Sequence, residues 1–467
     1  MYKHLFFDDR YLFQRENVKR TYGTPELIKD AVFYDDRIST CWPSPWVFKL
    51  DDGSYRMIYS GHDTVTETHA VCVAKSYDGI HFEKELISDD SNILMHIRGE
   101  IACVIEDKTC SQEERYKMLY TEIIPETLTV DGTLYVSSDL INWTVREHLW
   151  SKDGEPVTGA FYNHKKQCFT IIKRVSWGVR MVGYTETRDF KTYTPEVLCM
   201  QQDSLDGPLD EIYGMPSFAY DNFFIGFPYI YNGFPNSMSA KFSAGFIKAQ
   251  LAYSYNGTNW LRSLREPFIS GTFPERAADK EFYAPMVWPS SMLVNDDSIN
   301  IHACASKYEH GPGFKEKGAN GYIFTYKLRK DGFIALESDD KNKESMFATR
   351  ENAWHGGELH LNLKAKKATV AVYTSNRTQY ESMNLYGVCE VIEGYTHEDC
   401  IPFEGDSCDW IPKFKNGLTI DALSGKALAF EIKFTDGTVY SIYGDMTPLF
   451  NVEGERFRKF KSLPNYL

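Results

Sequence analysis

Acidic residues directly precede apolar, strand-like runs at three places: Glu100 in IRGEIACV, Asp210 and Glu211 in LDEIYGM, and Asp279 and Glu281 in DKEFYAPM. Carboxylates brought together from such positions can do general acid–base work, one giving a proton while the other takes one. Glu211 leads the set, because it stands immediately before a strand in apolar company, a setting that favours the neutral acid. Asp8, Asp9, Asp78 and Asp139 lie at the chain start or in polar turns, where a structural role is the better reading. Flat apolar faces for a polar ligand could come from Trp42, Trp46, Tyr213 and Trp288, and forked donors from Arg98, Arg174 and Arg180. Each of the tryptophans reads equally well as core. His62, His355 and His360 show no metal-ligand spacing, so no metal site is expected.

These residues need a frame, and the frame is a repeat. Ser76, Asp78 and Phe82 in AVCVAKSYDGIHFEK recur as Ser137, Asp139 and Trp143, as Thr187, Asp189 and Tyr193, and as Ser254, Asn256 and Trp260. Each copy ends a β-rich run, closes a tight turn through a hydroxyl and a carboxyl or amide, and anchors the returning strand with an aromatic. The spacing suits one four-stranded sheet per unit, the scale of a propeller blade. A fifth sheet is expected to end at GYIFTYKLRKDGFIAL, with Asp331 and Gly332 making its turn. Ordinary hairpins of an unrelated β-sandwich are the competing reading. Upstream, CWPSPWVFKLDDGSYRMIYSG predicts a strand, an Asp52-Gly53 hairpin turn and an alternating strand. In a propeller the first of these strands lines the central channel, so the candidate acids before such strands would crowd its mouth.

From about residue 344 the pattern becomes strict alternation. Leu428, Phe430, Ile432 and Phe434 should face one side, with Glu431, Lys433 and Thr435 facing water, and Asp436-Gly437 should turn the last two strands into a hairpin. The expected fold is all-β: a five-bladed β-propeller over residues 1–343 followed by a C-terminal β-sandwich domain over 344–467.

A chain of 467 residues is long enough for a large core and more than one domain. Its formal net charge of -14 argues against nucleic acid and anionic membrane surfaces as partners, since Lys and Arg carry binding to phosphates. The opening MYKHLFFDDRYLF interleaves apolar and charged residues too early for a secretory segment, which gives a cytoplasmic expectation. Ten cysteines without a CxxC pair are expected to be mostly reduced and buried.

The whole arrangement resembles the glycoside hydrolases of families 32 and 43, and HLFFDDRYL, YRMIYSG, KSYDGIHFEK, RYKMLYTE, EIYGMPSF, LAYSYNGTNW, RKDGFIAL, GGELHLN and EDCIPFEGDS resemble a group of bacterial family-32-like glycosidases. The resemblance implies a carbohydrate substrate and hydrolysis of a glycosidic bond, which needs a proton donor and a second carboxylate. It does not carry over residue by residue. Where family 32 has its nucleophilic Asp, this chain has Ser44 in CWPSPWVF, and the second-blade Arg-Asp-Pro motif finds only Arg98 and Glu100, out of step. Glu211, Glu100, Glu281 and Asp210 are therefore the catalytic candidates, with Trp42, Arg98, Arg174, Tyr213 and Trp288 for substrate. A cluster of arginines would favour a uronic or otherwise acidic sugar. No cofactor is expected; a cation at the channel centre, as in some family-43 relatives, stays open, as does the oligomeric state. Three functions fit: a glycoside hydrolase, a glycoside phosphorylase of similar shape, which would need Arg, Lys and His grouped to hold phosphate, or a carbohydrate-binding propeller that has lost its acids.

Overall fold

The structure is a computed structural model that describes residues 1–40, 44–88, 90–124, 129–151, 157–176, 179–233, 245–269, 284–310, 321–374 and 390–449. The described residues are almost entirely β, with three short 3-10 turns at Lys29–Ala31, Gln112–Glu114 and Ile420–Leu423. No helix among them is long and apolar enough to cross a membrane. The chain divides into two compact units, Pro25–Leu328 and a second made of Met1–Thr24 with Arg329–Leu467. The first 24 residues thus group with the C-terminal segment, whereas the sequence pattern places them within the propeller of residues 1–343.

In the Pro25–Leu328 unit the four repeated turns share one hydrogen-bond set. Asp78 N–H and Gly79 N–H donate to Ser76 Oγ, while Ile80 and His81 N–H donate to Asp78 Oδ1. The same bonds recur about Ser137 and Asp139, about Thr187 and Asp189, and about Ser254 and Asn256. The fourth residue of each turn is left-handed: Gly79 at φ 73, Leu140 at 66, Phe190 at 56 and Gly257 at 79. For a side chain this costs about 1–2 kcal/mol. Leu140 and Phe190 are fully buried, which stabilises by about 1.5–3 kcal/mol each and outweighs the cost. The aromatic that follows closes the turn in two copies, Trp143 Nε1 donating to Leu140 O and the Tyr193 hydroxyl to Phe190 O.

Each turn joins neighbouring segments of one sheet, and the sheets stand in a propeller-like arrangement of four blades. Ile38–Thr40, Trp46–Lys49, Tyr55–Asp63, Thr68–Ser76, Glu83–Lys84 and Ile93–Ile97 form one sheet, with the Asp52-Gly53 hairpin present as the sequence predicts. Glu100–Glu106, Tyr116–Ile124, Thr129–Ser137 and Thr144–Ser151 form the next, and Val157–Asn163, Cys168–Ser176, Arg180–Thr187 and Val197–Met200 the third. A seven-stranded sheet runs from Asp210–Gly214 through Tyr229–Gly233, Gly245–Ala249, Met286–Val294, Ser298–Ser306 and Gly321–Arg329 to Glu26–Leu27. Ser217–Tyr220, Phe223–Gly226 and Ala252–Ser254 make a three-stranded sheet. Strands of different sheets touch in series: Met286–Val294 meets Trp46–Lys49, which meets Glu100–Glu106, which meets Val157–Asn163, which meets Ser217–Tyr220. Val47 N–H donates to Ser291 Oγ and Ser290 Oγ to Pro45 O, so polar side chains stitch one of these contacts.

The other unit is one nine-stranded hydrogen-bonded sheet. Leu428, Phe430, Ile432 and Phe434 are buried and Glu431 and Lys433 half-buried, as alternation requires. The expected Asp436-Gly437 hairpin is absent: Ala427–Pro448 is a single strand that runs through it. Asp436 is left-handed at φ 42, but the chain bends rather than reverses, because Asn352–Thr374 pairs along the whole of Ala427–Pro448. On its other edge the long strand changes partner, from Glu344–Thr349 to Ile334–Ser338 and then to Tyr2–Leu5. Asp331 is buried here, accepting from Lys3 Nζ at 2.8 Å and from Ser441 Oγ at 2.5 Å.

Candidate functional site

Strand Asp210–Gly214 alternates, so Ile212 goes into the core while Glu211 and Tyr213 share the opposite face. Tyr231 lies directly across from Glu211 in the neighbouring strand. The strand can approach Val157–Asn163 closely because Gly214 has no side chain; a Cβ there would lie 2.7 Å from Thr158 Cγ2. The loop before it is held by a buried ion pair. Arg262 binds Asp206 at 2.6 Å with both side chains 3% exposed, and Arg265 binds Asp203 at 2.5 Å.

Arginines from the Cys168–Ser176 and Arg180–Thr187 hairpin converge on that face. Arg174 lies 4.9 Å from the Tyr213 ring centre, and Arg180 lies 5.2 Å from the same ring and 5.4 Å from that of Tyr231, within cation–π range. An Arg180 Nη1–Glu211 Oε2 ion pair completes the group, with both side chains about a quarter exposed. His310 shares a 3.2 Å hydrogen bond with the Tyr213 hydroxyl and sets its ring edge-on to Tyr213 and Tyr231. The arrangement offers one carboxylate, two guanidinium groups, an imidazole and aromatic faces in one place. It can bind an anionic or polyhydroxylated ligand and present a carboxyl to it.

The sequence candidates fall out differently. Glu211 sits beside a guanidinium, not in the apolar company expected of it. Both oxygens of Asp210 are occupied, accepting from Gly207 N–H at 2.9 Å and Asn232 Nδ2 at 2.6 Å, which makes it a turn brace. Glu100 opens its strand opposite Thr121, with its side chain outside the described residues. Trp42, Asp279 and Glu281 also lie outside the described residues. Arg98 is exposed, its N–H donating to the Tyr120 hydroxyl. Trp46 and Trp288 are 5% and 4% exposed, so their faces belong to the core rather than to a ligand. Ser44 is buried and donates to Ser60 O at 3.3 Å.

Tyr231 and His310 were not singled out by the sequence. Tyr231 could have been, since it alternates with Tyr229 in FPYIYN; His310 stands in a loop with no periodic signal. A second polar centre was also missed. The fully buried Asp63 accepts from Arg37 at 2.8 and 3.0 Å, from Thr66 Oγ1 and Val65 N–H, and pairs with His96 Nε2 at 3.0 Å. The Arg37 guanidinium, aided by these donors against the opposing effect of burial, holds its carboxyl far below the usual range. A carboxylate so bound is a fixed charge and not a proton carrier. Among the described residues no group of three or more His, Cys, Asp or Glu side chains could hold a metal ion.

No protein-family model and no curated protein matches the chain. Among solved structures it is similar to an N-acetylgalactosamine deacetylase from F. plautii in complex with blood group B trisaccharide, at 15% identity over 68% of this chain and 97% of that one, TM-score 0.43. It is similar also to a glycosyl hydrolase from Bacteroides ovatus, at 16% identity over 66% and 94%, TM-score 0.41. A third is a structure described by the words "the GH130 family of mannoside phosphorylases contains glycoside hydrolases that target beta-1,2 mannosidic linkages in Candida mannan", at 16% identity over 66% and 94%, TM-score 0.40. Likeness this distant transfers neither activity nor substrate to this chain.

Proposed function

We propose that the chain is a carbohydrate-active enzyme that hydrolyses a glycosidic bond, with Glu211 as the carboxyl at the reacting centre and Arg174 and Arg180 receiving an acidic group of the sugar. The observation that supports this reading is the convergence of Glu211, both arginines and two tyrosine rings on one face. The second carboxylate that hydrolysis requires is assigned to Glu100 or Glu281, which precede inner strands as Glu211 does. The finer architecture belongs to the same proposal. Trp46–Lys49, Glu100–Glu106, Val157–Asn163, Ser217–Tyr220 and Met286–Val294 are the inner strands of five blades, and the bent long strands of the other unit fold its sheet into a sandwich.

Phosphorolysis is the second reading, and one feature favours it: Arg174, Arg180 and His310 all lie against Tyr213, the kind of cationic group that holds phosphate. A panel of aryl glycosides and oligosaccharides, with uronic acids included, separates the readings when run with and without inorganic phosphate. Turnover independent of phosphate, giving free sugar, is the expected outcome. Turnover only with phosphate, giving a sugar phosphate, replaces hydrolysis by phosphorolysis. Binding without turnover of any member selects the inactive carbohydrate-binding propeller.

A further inference from the structure

The turn between strands Glu100–Glu106 and Tyr116–Ile124 carries a cluster that the Glu211 site does not use. Lys117 is buried, and its Nζ donates to Asp107 Oδ2 at 2.7 Å, to Glu114 O at 3.0 Å and to Cys110 Sγ at 3.2 Å. Asp107 is buried as well and braced by Thr109, through its N–H at 2.8 Å and its Oγ1 at 2.6 Å. Cys110 is the one exposed cysteine among the described residues; the others are buried or half-buried. Three acceptors therefore fix an amine against a thiol that a small oxidant can reach. Cys110 is on the turn and Lys117 is the second residue of the strand that follows it, with Nζ and Sγ already 3.2 Å apart, so a single inserted oxygen atom can join them with little backbone movement.

We propose that Cys110 and Lys117 are a modification site, at which dioxygen converts the pair into a covalent Sγ–O–Nζ crosslink. Thiol, amine and dioxygen give the crosslink and one water. The S–H bond and one N–H bond break, and S–O and O–N bonds form. Sulfur and nitrogen each give up an electron pair, which reduces both oxygen atoms, and the second oxygen leaves as water with the two hydrogens. Before nitrogen can react, the ammonium must lose a proton to base from solvent, a step that alkaline pH favours. Burial raises the Cys110 thiol above its ordinary value, with Lys117 acting in the opposite direction, so the thiolate fraction and the rate both grow with pH. The crosslink would clamp the Gln112–Glu114 turn and be undone by reduction, as reversible cysteine oxidation is.

The test uses the full chain, aerated at mildly alkaline pH or kept under reductant, then digested and read by mass spectrometry. The expected result is a Cys110 peptide joined to a Lys117 peptide with one oxygen gained and two hydrogens lost, about 14 Da in all, and reversed by dithiothreitol. Cys110→Ser and Lys117→Arg should each abolish it, the second while keeping the cation against Asp107. Because the linked peptide is read in the unaltered chain, a variant that fails to fold does not obscure the outcome. Aerated protein with Cys110 as free thiol, as a sulfinic acid or as a disulfide, and without the linked peptide, overturns the proposal. So does a link that lacks the oxygen.

Discussion

Four turns of the Pro25–Leu328 unit repeat one hydrogen-bond set, whereas the Glu211 cluster occurs once. Every polar partner in a turn lies within a few residues of the hydroxyl that starts it, so the motif is complete in sequence and folds locally. The Glu211 cluster takes Arg174 and Arg180 from one hairpin, Glu211 and Tyr213 from another sheet, Tyr231 from the strand beside it and His310 from a later loop. Its geometry exists only after the sheets have packed. Repetition marks the scaffold, and the proposed site lies where one sheet departs from its siblings.

Two substitutions of one carboxyl each should divide along that line, and the larger effect belongs to the cluster. Glu211→Gln keeps the shape and removes the ionisable group, so turnover of whichever glycoside the screen identifies should fall roughly 100- to 10,000-fold, with ligand binding and unfolding midpoint nearly unchanged. Full activity in this variant would remove Glu211 from the reaction. Asp139→Ala should do the reverse. It strips acceptors from Ile141 N–H, Asn142 N–H and Asn142 Nδ2, which costs about 1–3 kcal/mol of stability, visible in a urea titration, while turnover per folded molecule stays the same. A loss of activity in Asp139→Ala without loss of stability would break the separation of scaffold from site.

A smaller effect tests the turn itself. Gly257 combines φ 79 with a tight surrounding, since a Cβ would lie 2.6 Å from Asn163 Nδ2, whereas Leu140 holds the same conformation with a full side chain. Gly257→Ala should therefore lower stability by about 1–2 kcal/mol. A neutral result, measured by the same titration, would mean that the fourth copy tolerates what the second copy does.

The same contrast explains what could be read from the chain. The Asp52-Gly53 hairpin and the four turns were legible because their energetics are local. Arg174, Arg180, Glu211 and Tyr213 were legible as residue types near strand starts or ends, but their meeting was not. In the second unit, Leu428 to Phe434 showed its alternation, yet nothing local revealed that Tyr2–Leu5 pairs with residues 441–444 or that Lys3 meets Asp331. Asp436-Gly437 misled for a related reason. A turn dipeptide reverses the chain only when the flanking residues pair with each other, and here a strand from some seventy residues earlier, Asn352–Thr374, supplies the pairing across it.

The smallest expected effect is a pH dependence that distinguishes the four turns from one another. In Asp78 and Asp139 burial opposes ionisation, but hydrogen bonds from neighbouring N–H groups and side chains outweigh it and hold both carboxyls below the usual range. In Asp189 the Thr192 and Lys191 N–H groups bring it down to about 2. The fourth copy has Asn256, which makes the same bonds without a charge. A carboxyl with a folded pKa below its unfolded one contributes stability above the unfolded value, about 3.9, and loses it as pH falls through the folded value. Replacing Asp78, Asp139 and Asp189 together by Asn should therefore flatten the fall in urea midpoint between about pH 4 and pH 2, while Asn256→Asp should steepen it. Asn256→Asp should leave the slope above about pH 5 unchanged, whereas the triple variant should also flatten the fall in stability as pH rises through the His81 titration, because Asp78 holds that imidazole above its ordinary value through a 2.7 Å contact. Parallel acid limbs in wild type and triple variant would show that these aspartates act in the turns through shape alone, as Asn256 does.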